Sequence, residues 1–105
     1  MFTSKLKRMI SDRSPASVAA IADAKALADA YGLRHAVDNG EPRCLFDARG
    51  DECVVTIVNV AQFADAFRAA GFEEDRNMFE PAFKFAPGRI AEAAAIIAAS
   101  ERGLA

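Results

Sequence analysis

A chain of 105 residues, 52% of them hydrophobic, makes one domain and can bury a core without metal or disulfide staples. Its formal net charge of −2 offers no basic field to displace counterions, so nucleic acid is not an expected partner. The basic start of the chain lacks the apolar run of a secretory signal, and the longest soft apolar stretch, residues 93–99, is too short to cross a bilayer, so a cytoplasmic protein off the membrane is expected.

Phe2, Leu6, Met9 and Ile10 fall at helical spacing with Lys5, Lys7 and Arg8 between them, which predicts a short amphipathic helix docked on the core. Ser14 followed by Pro15 starts a second helix, as hydroxyl N-cap and N1 proline. Val18, Ile21, Ala24, Leu27 or Ala28, and Tyr31 are expected inward. Gly32 is expected to end this helix, with Leu33 folding back. Residues 33–37 then read as a short strand, and Asp38-Asn39-Gly40 as a hairpin turn.

Residues 43–47 and 52–58 read as the next two strands, joined by a type I turn over 47–50 with Gly50 in a bulge. Val54, Val55, Ile57 and Val58 are β-branched and almost uninterrupted, as in a central strand covered on both faces. In this register Cys44 opposes Val54 and Cys53 opposes Leu45, which turns the sulfurs to opposite faces; a shift of one residue would bring them together. Two buried thiols without a disulfide are expected.

Asn59 as N-cap and Gln62 at N3 open a helix over 60–70, with Val60, Phe63, Phe67 and Ala70 inward. Gly71 closes it and Phe72 packs back. Residues 73–77 form an exposed acidic connection. Phe79, Pro81, Phe83 and Phe85 alternate with Glu80, Ala82 and Lys84, the period of a strand over 78–85. Pro81 cannot donate to a ladder, which places that strand at the sheet edge. A final helix runs over about 89–102, with Ile90, Ala94 and Ile97 inward. The order α-α-β-β-β-α-β-α predicts an α+β domain. Its sheet has about four strands and is mainly antiparallel, with room for one parallel pair where a helix joins the last two strands.

No motif names a reaction. His35 is the only histidine, and no helix N-terminus or cation cluster in the sequence activates Cys44 beside it. One His, two Cys and scattered carboxylates make no metal-ligand spacing, and the glycines form no phosphate loop, so no cofactor is expected. Gly88 and Arg89 open the last helix and form the candidate anion site.

The expected function is non-enzymatic binding of a protein partner. The exposed edge would accept a strand, and Glu73, Glu74, Asp75, Arg76, Glu80 and Lys84 would meet the partner, the acidic groups steering a basic one. Adaptors, immunity proteins and inhibitors encoded by mobile elements share this size and lack of motifs. The alternative is a small-molecule-binding domain or small enzyme, with a pocket between sheet and helices onto which Tyr31, His35, Cys44, Cys53 or Arg89 converge. A homodimer through Ala91, Ala95 and Ala99 is the third reading.

Overall fold

Ser14 does cap the helix that Pro15 begins: the Ser17 N–H donates to Ser14 Oγ at 3.2 Å. The computed structural model describes residues 14–38, 42–58, 60–76 and 79–103. The amphipathic helix expected before Ser14 lies outside them. The described elements are α1 (Pro15–Asp38), β1 (Cys44–Arg49), β2 (Glu52–Ile57), α2 (Ala61–Ala69), β3 (Glu73–Glu74), β4 (Ala82–Phe85), a 3-10 turn (Pro87–Arg89) and α3 (Ile90–Arg102). The fold is α+β, with one four-stranded antiparallel sheet in the order β1-β2-β4-β3.

Helix α1 corrects two expectations. It runs straight through Gly32 to Asp38, so residues 33–37 are helix and not strand; Asn39 and Gly40 of the expected hairpin turn lie outside the described residues. A mid-helix glycine costs only about 1 kcal/mol. Continuing the helix brings His35 one turn after Tyr31, where the rings stack with centroids 5.0 Å apart. The buried face also differs. Ser17, Ala20, Ala24, Leu27, Tyr31 and His35 face inward, while Val18 and Ile21 are exposed. Small residues let the helix sit close to the sheet: the Cys53 thiol donates to the Ala20 carbonyl at 3.3 Å.

The β1–β2 hairpin turns on Gly50-Asp51, with φ +63° at Gly50 and no positive φ at Asp51, the pattern of a type II′ turn. The turn is therefore tighter than the one expected over 47–50. Cys44 opposes Ile57 and Cys53 opposes Ala48. By alternation both thiols face the core, but at opposite ends of the hairpin, and they form no disulfide. Strand β2 is buried on both faces at Val54 and Val55, as its composition implied.

Helix α2 starts from Val60 as N-cap with no side-chain cap bond; Asn59 lies outside the described residues. Its end is a Schellman motif. The Gly71 N–H donates to the Arg68 carbonyl at 3.0 Å and the Phe72 N–H to the Phe67 carbonyl at 3.1 Å, with φ +80° at Gly71. Phe67 and Phe72 meet edge-to-face at 5.1 Å, the apolar contact that accompanies this motif. Ala70 is exposed, not inward.

The largest correction concerns the last strand. Strand β4 is interior, paired with β2 on one side and β3 on the other. Pro81 stands just before it and supplies only a carbonyl, which accepts the Ile57 N–H at 2.8 Å. No proline donor is asked for, so nothing forces the strand outward. Glu73 and Glu74, read as loop, form the outer strand β3. Because β4 slots between β2 and β3, the helical crossover creates no parallel neighbours. Phe83 and Phe85 join Val55, Ile57, Phe63 and Phe67 in the core. In α3 the buried residues are Ala93 and Ile97; Ala94 is exposed. Among the described residues, all three helices pack on the sheet face that carries Cys53, Val55 and Phe83.

Candidate functional site

The long α1 builds a buried polar cluster that a strand at 33–37 could not. His35 is 3% exposed, and among the described residues neither ring nitrogen has a hydrogen-bond partner. Its stacking partner Tyr31 accepts the Arg43 N–H on its hydroxyl at 2.8 Å, which ties the end of α1 to the start of β1. Cys44 follows directly and is buried. From the last turn of α3, Glu101 reaches Arg34 at 3.5 Å; its other oxygen, Oε1, is buried and has no hydrogen-bond partner among the described residues.

Electrostatics decide what this cluster can do. Burial pushes the Cys44 thiol up to about 12, and the nearby Glu101 charge adds to the effect. Burial likewise pushes the Tyr31 phenol up to about 12, against the Arg43 N–H that favours the phenolate. A thiol held protonated at neutral pH is not a nucleophile. The arrangement suits hydrogen bonding rather than covalent catalysis. Among the described residues no group of three metal-ligating side chains comes together, and no helix is long and apolar enough to cross a membrane.

A cavity of about 90 Å³ lies beside this cluster, between α1 and α3, lined by Leu27, Ala30, Tyr31, Arg34, Ile97 and Ala98 among others. It opens between two helices, not between sheet and helices as expected. Of the five groups expected to converge on a pocket, Tyr31 lines this cavity; His35 stacks on Tyr31 and Cys44 lies close to it, but neither is among the lining residues. Cys53 is turned to the Ala20 carbonyl, and Arg89 lies over the Phe72 ring at 3.9 Å. Arg34 and Glu101 are members that the sequence did not point to. Arg34 sat in a segment read as strand, and nothing local links the end of α3 to α1.

The expected partner-binding residues divide. Glu73 pairs with Lys84 at 3.7 Å and Asp75 with Arg49 at 3.3 Å. Glu74 takes both Nε and Nη2 of Arg68, at 2.9 and 3.1 Å, and this bonding lowers its pKa. The acidic run is thus matched by cations of the same domain, which removes most of the field that would steer a basic partner. Glu74, Arg76 and Glu80 do share one shallow groove with Pro81 and Phe79. Phe79, expected to face the core, is fully exposed at 106% of its reference area.

At the other candidate, the Arg89 guanidinium holds Glu92 through two bonds of 3.2 and 2.9 Å, and so is already occupied by a carboxylate. The turn at Gly88 is a three-residue 3-10 segment that runs straight into α3. No known protein family, curated protein or solved structure matches the chain.

Proposed function

We propose that this domain works by binding a partner protein, with Phe79 as anchor and Glu74, Arg76, Glu80 and Pro81 around it. The full exposure of Phe79 carries the reading. Burying a phenylalanine side chain in a partner is worth about 1.5–3 kcal/mol, and aromatic anchors beside arginine are the usual centres of interfaces. Glu80 and Arg76 are exposed, Arg76 close enough to Glu74 to help lower its pKa, so the partner it fits has an apolar pocket rimmed by a cation and an acid. The protonated Cys44 supports a role without covalent chemistry. Two buried thiols without a disulfide fit a reducing, cytoplasmic setting. An adaptor, immunity or inhibitor role is of this kind.

The test compares tagged wild-type and Phe79→Ala chains in pull-downs from host lysate, read by mass spectrometry at low and high salt. An exposed site leaves folding stability within about 0.5 kcal/mol, checked by urea unfolding. The expected result is one stoichiometric protein bound to wild type, lost with Phe79→Ala, and held at both salt concentrations. Equal capture by the two chains, or capture by neither, refutes the reading.

A further inference from the structure

We infer that this chain pairs with a second copy of itself, β1 against β1 about a two-fold axis, so that the two sheets join into one. The inference uses none of the residues around Phe79 and stands apart from the protein-binding reading. Strand β1 is an outer strand of six residues, whereas the opposite edge, β3, has only two. The Val58 N–H donates to the Arg43 carbonyl at 2.8 Å, so by alternation Leu45, Asp47 and Arg49 turn their backbone groups to β2. Cys44, Phe46 and Ala48 turn theirs outward. Those of Cys44 and Phe46 meet no partner among the described residues, and the Ala48 N–H is held by the Asp47 carboxylate at 2.8 Å. Such an edge is a template for another strand. A shallow groove runs beside it, between Phe46 and the Ile21, Ala24 and Ala28 stripe of α1, and Ile21 is exposed there.

Charge complementarity points to a second copy as the occupant and selects one register. Only registers that set Cys44, Phe46 and Ala48 against one another join the free backbone groups. With Phe46 on the axis, Arg43 would oppose the copy's Arg49; with Asp47 on the axis, two aspartates would meet. Like charges directly opposite destabilise a strand pair. With Leu45 on the axis, Cys44 exchanges both backbone bonds with the copy's Phe46, and Arg43 opposes the copy's Asp47 on each side of the axis. Arg43 forms no ion pair among the described residues. Asp47 binds the Ala48 N–H through Oδ1, which leaves Oδ2 for the arginine. Leu45 is exposed in the single chain, and on the axis it packs against its own copy. The groove beside the edge receives the copy's β1 and α1, which covers Ile21.

Sedimentation equilibrium on the full chain measures the mass and the dissociation constant. The expected result is a species of twice the chain mass at micromolar concentration. Asp47→Arg sets two cations opposite each other on both sides of the axis and should raise the dissociation constant roughly tenfold or more. Adding Arg43→Asp to that variant reverses each pair and should restore the dimer, a rescue that a merely structural role for either residue would not give. Leu45→Lys, at an exposed position, should weaken the dimer equally and keeps the test sound if Asp47→Arg fails to fold, which circular dichroism checks. Leu45→Cys should form a disulfide across the axis on mild oxidation, and Leu33→Cys, exposed but away from the edge, should not. A chain that stays monomeric at high micromolar concentration, a dimer indifferent to Leu45→Lys, a charge reversal without rescue, or equal cross-linking of the two cysteine variants overturns the inference.

Discussion

Replacing His35 with methionine should stabilise this domain. The ring is buried, and its two nitrogens lack partners among the described residues. An unsatisfied buried polar group costs about 1–3 kcal/mol, while an apolar group of similar volume avoids that cost. Against this stands the stack on Tyr31 at 5.0 Å and 20°, and such a ring contact is worth about 0.5–1.5 kcal/mol. Methionine is flexible enough to keep contact with the Tyr31 face and recovers part of the loss. The balance favours His35→Met by roughly 1 kcal/mol, which for a domain near this size raises the melting temperature by about 4–8 °C. Equilibrium urea unfolding with the slope held in common gives the free energy, and calorimetry gives the melting shift. A loss of about 1 kcal/mol or more would refute the reasoning, because it would mean that the imidazole nitrogens are bonded in the working protein.

Two further outcomes follow from the same end of the molecule. Tyr31→Phe keeps the stack but strands the Arg43 N–H, and should lower stability by about 1–3 kcal/mol in urea unfolding. The pH dependence follows from Cys44, which holds its proton to about 12 in the folded chain against an ordinary value of 9.0. The folded state binds the extra proton in that interval, so the contribution is complete below pH 9 and is lost as the pH rises toward 12. Urea midpoints at pH 8 and 10 should show a loss of roughly 1.4 kcal/mol from this thiol, absent in Cys44→Ala.

What the sequence disclosed was local in origin. The run Val54 to Ile57 has only one good home, a covered strand, and Gly71 with Phe72 closes α2 by geometry confined to a few neighbours. What it hid depends on distant partners. Gly32 looks like a stop until Arg43 and Glu101 hold the far end of α1 in place. The alanine-rich first half of that helix carries little contrast between its faces, so the pattern points Val18 and Ile21 inward, where the structure buries Ser17 and Ala20; Ala24 faces inward as expected. Pro81 cannot donate to a ladder and so points to a sheet edge, although a residue just ahead of a strand needs only its carbonyl. The polar cluster was half legible: Tyr31, His35 and Cys44 could be named from their types, but Glu101 reaches them only through the packing of α3.

The position of β4 has a consequence for how the protein is made. The strand synthesised last occupies the middle of the sheet, between β2 and β3. At about 5–20 residues per second, the ribosome needs roughly 1–6 s to pass from the end of β2 to the end of β4. During that interval β2 offers one side of its backbone unpaired, with Phe63 and Phe67 still lacking the ring of Phe83. A nascent or C-terminally shortened chain therefore presents a sticky β-branched template rather than a smaller version of the fold. The first eighty residues are thus dependent on the next few for their solubility, and a stop codon in that stretch is expected to yield inclusion bodies or a chaperone client.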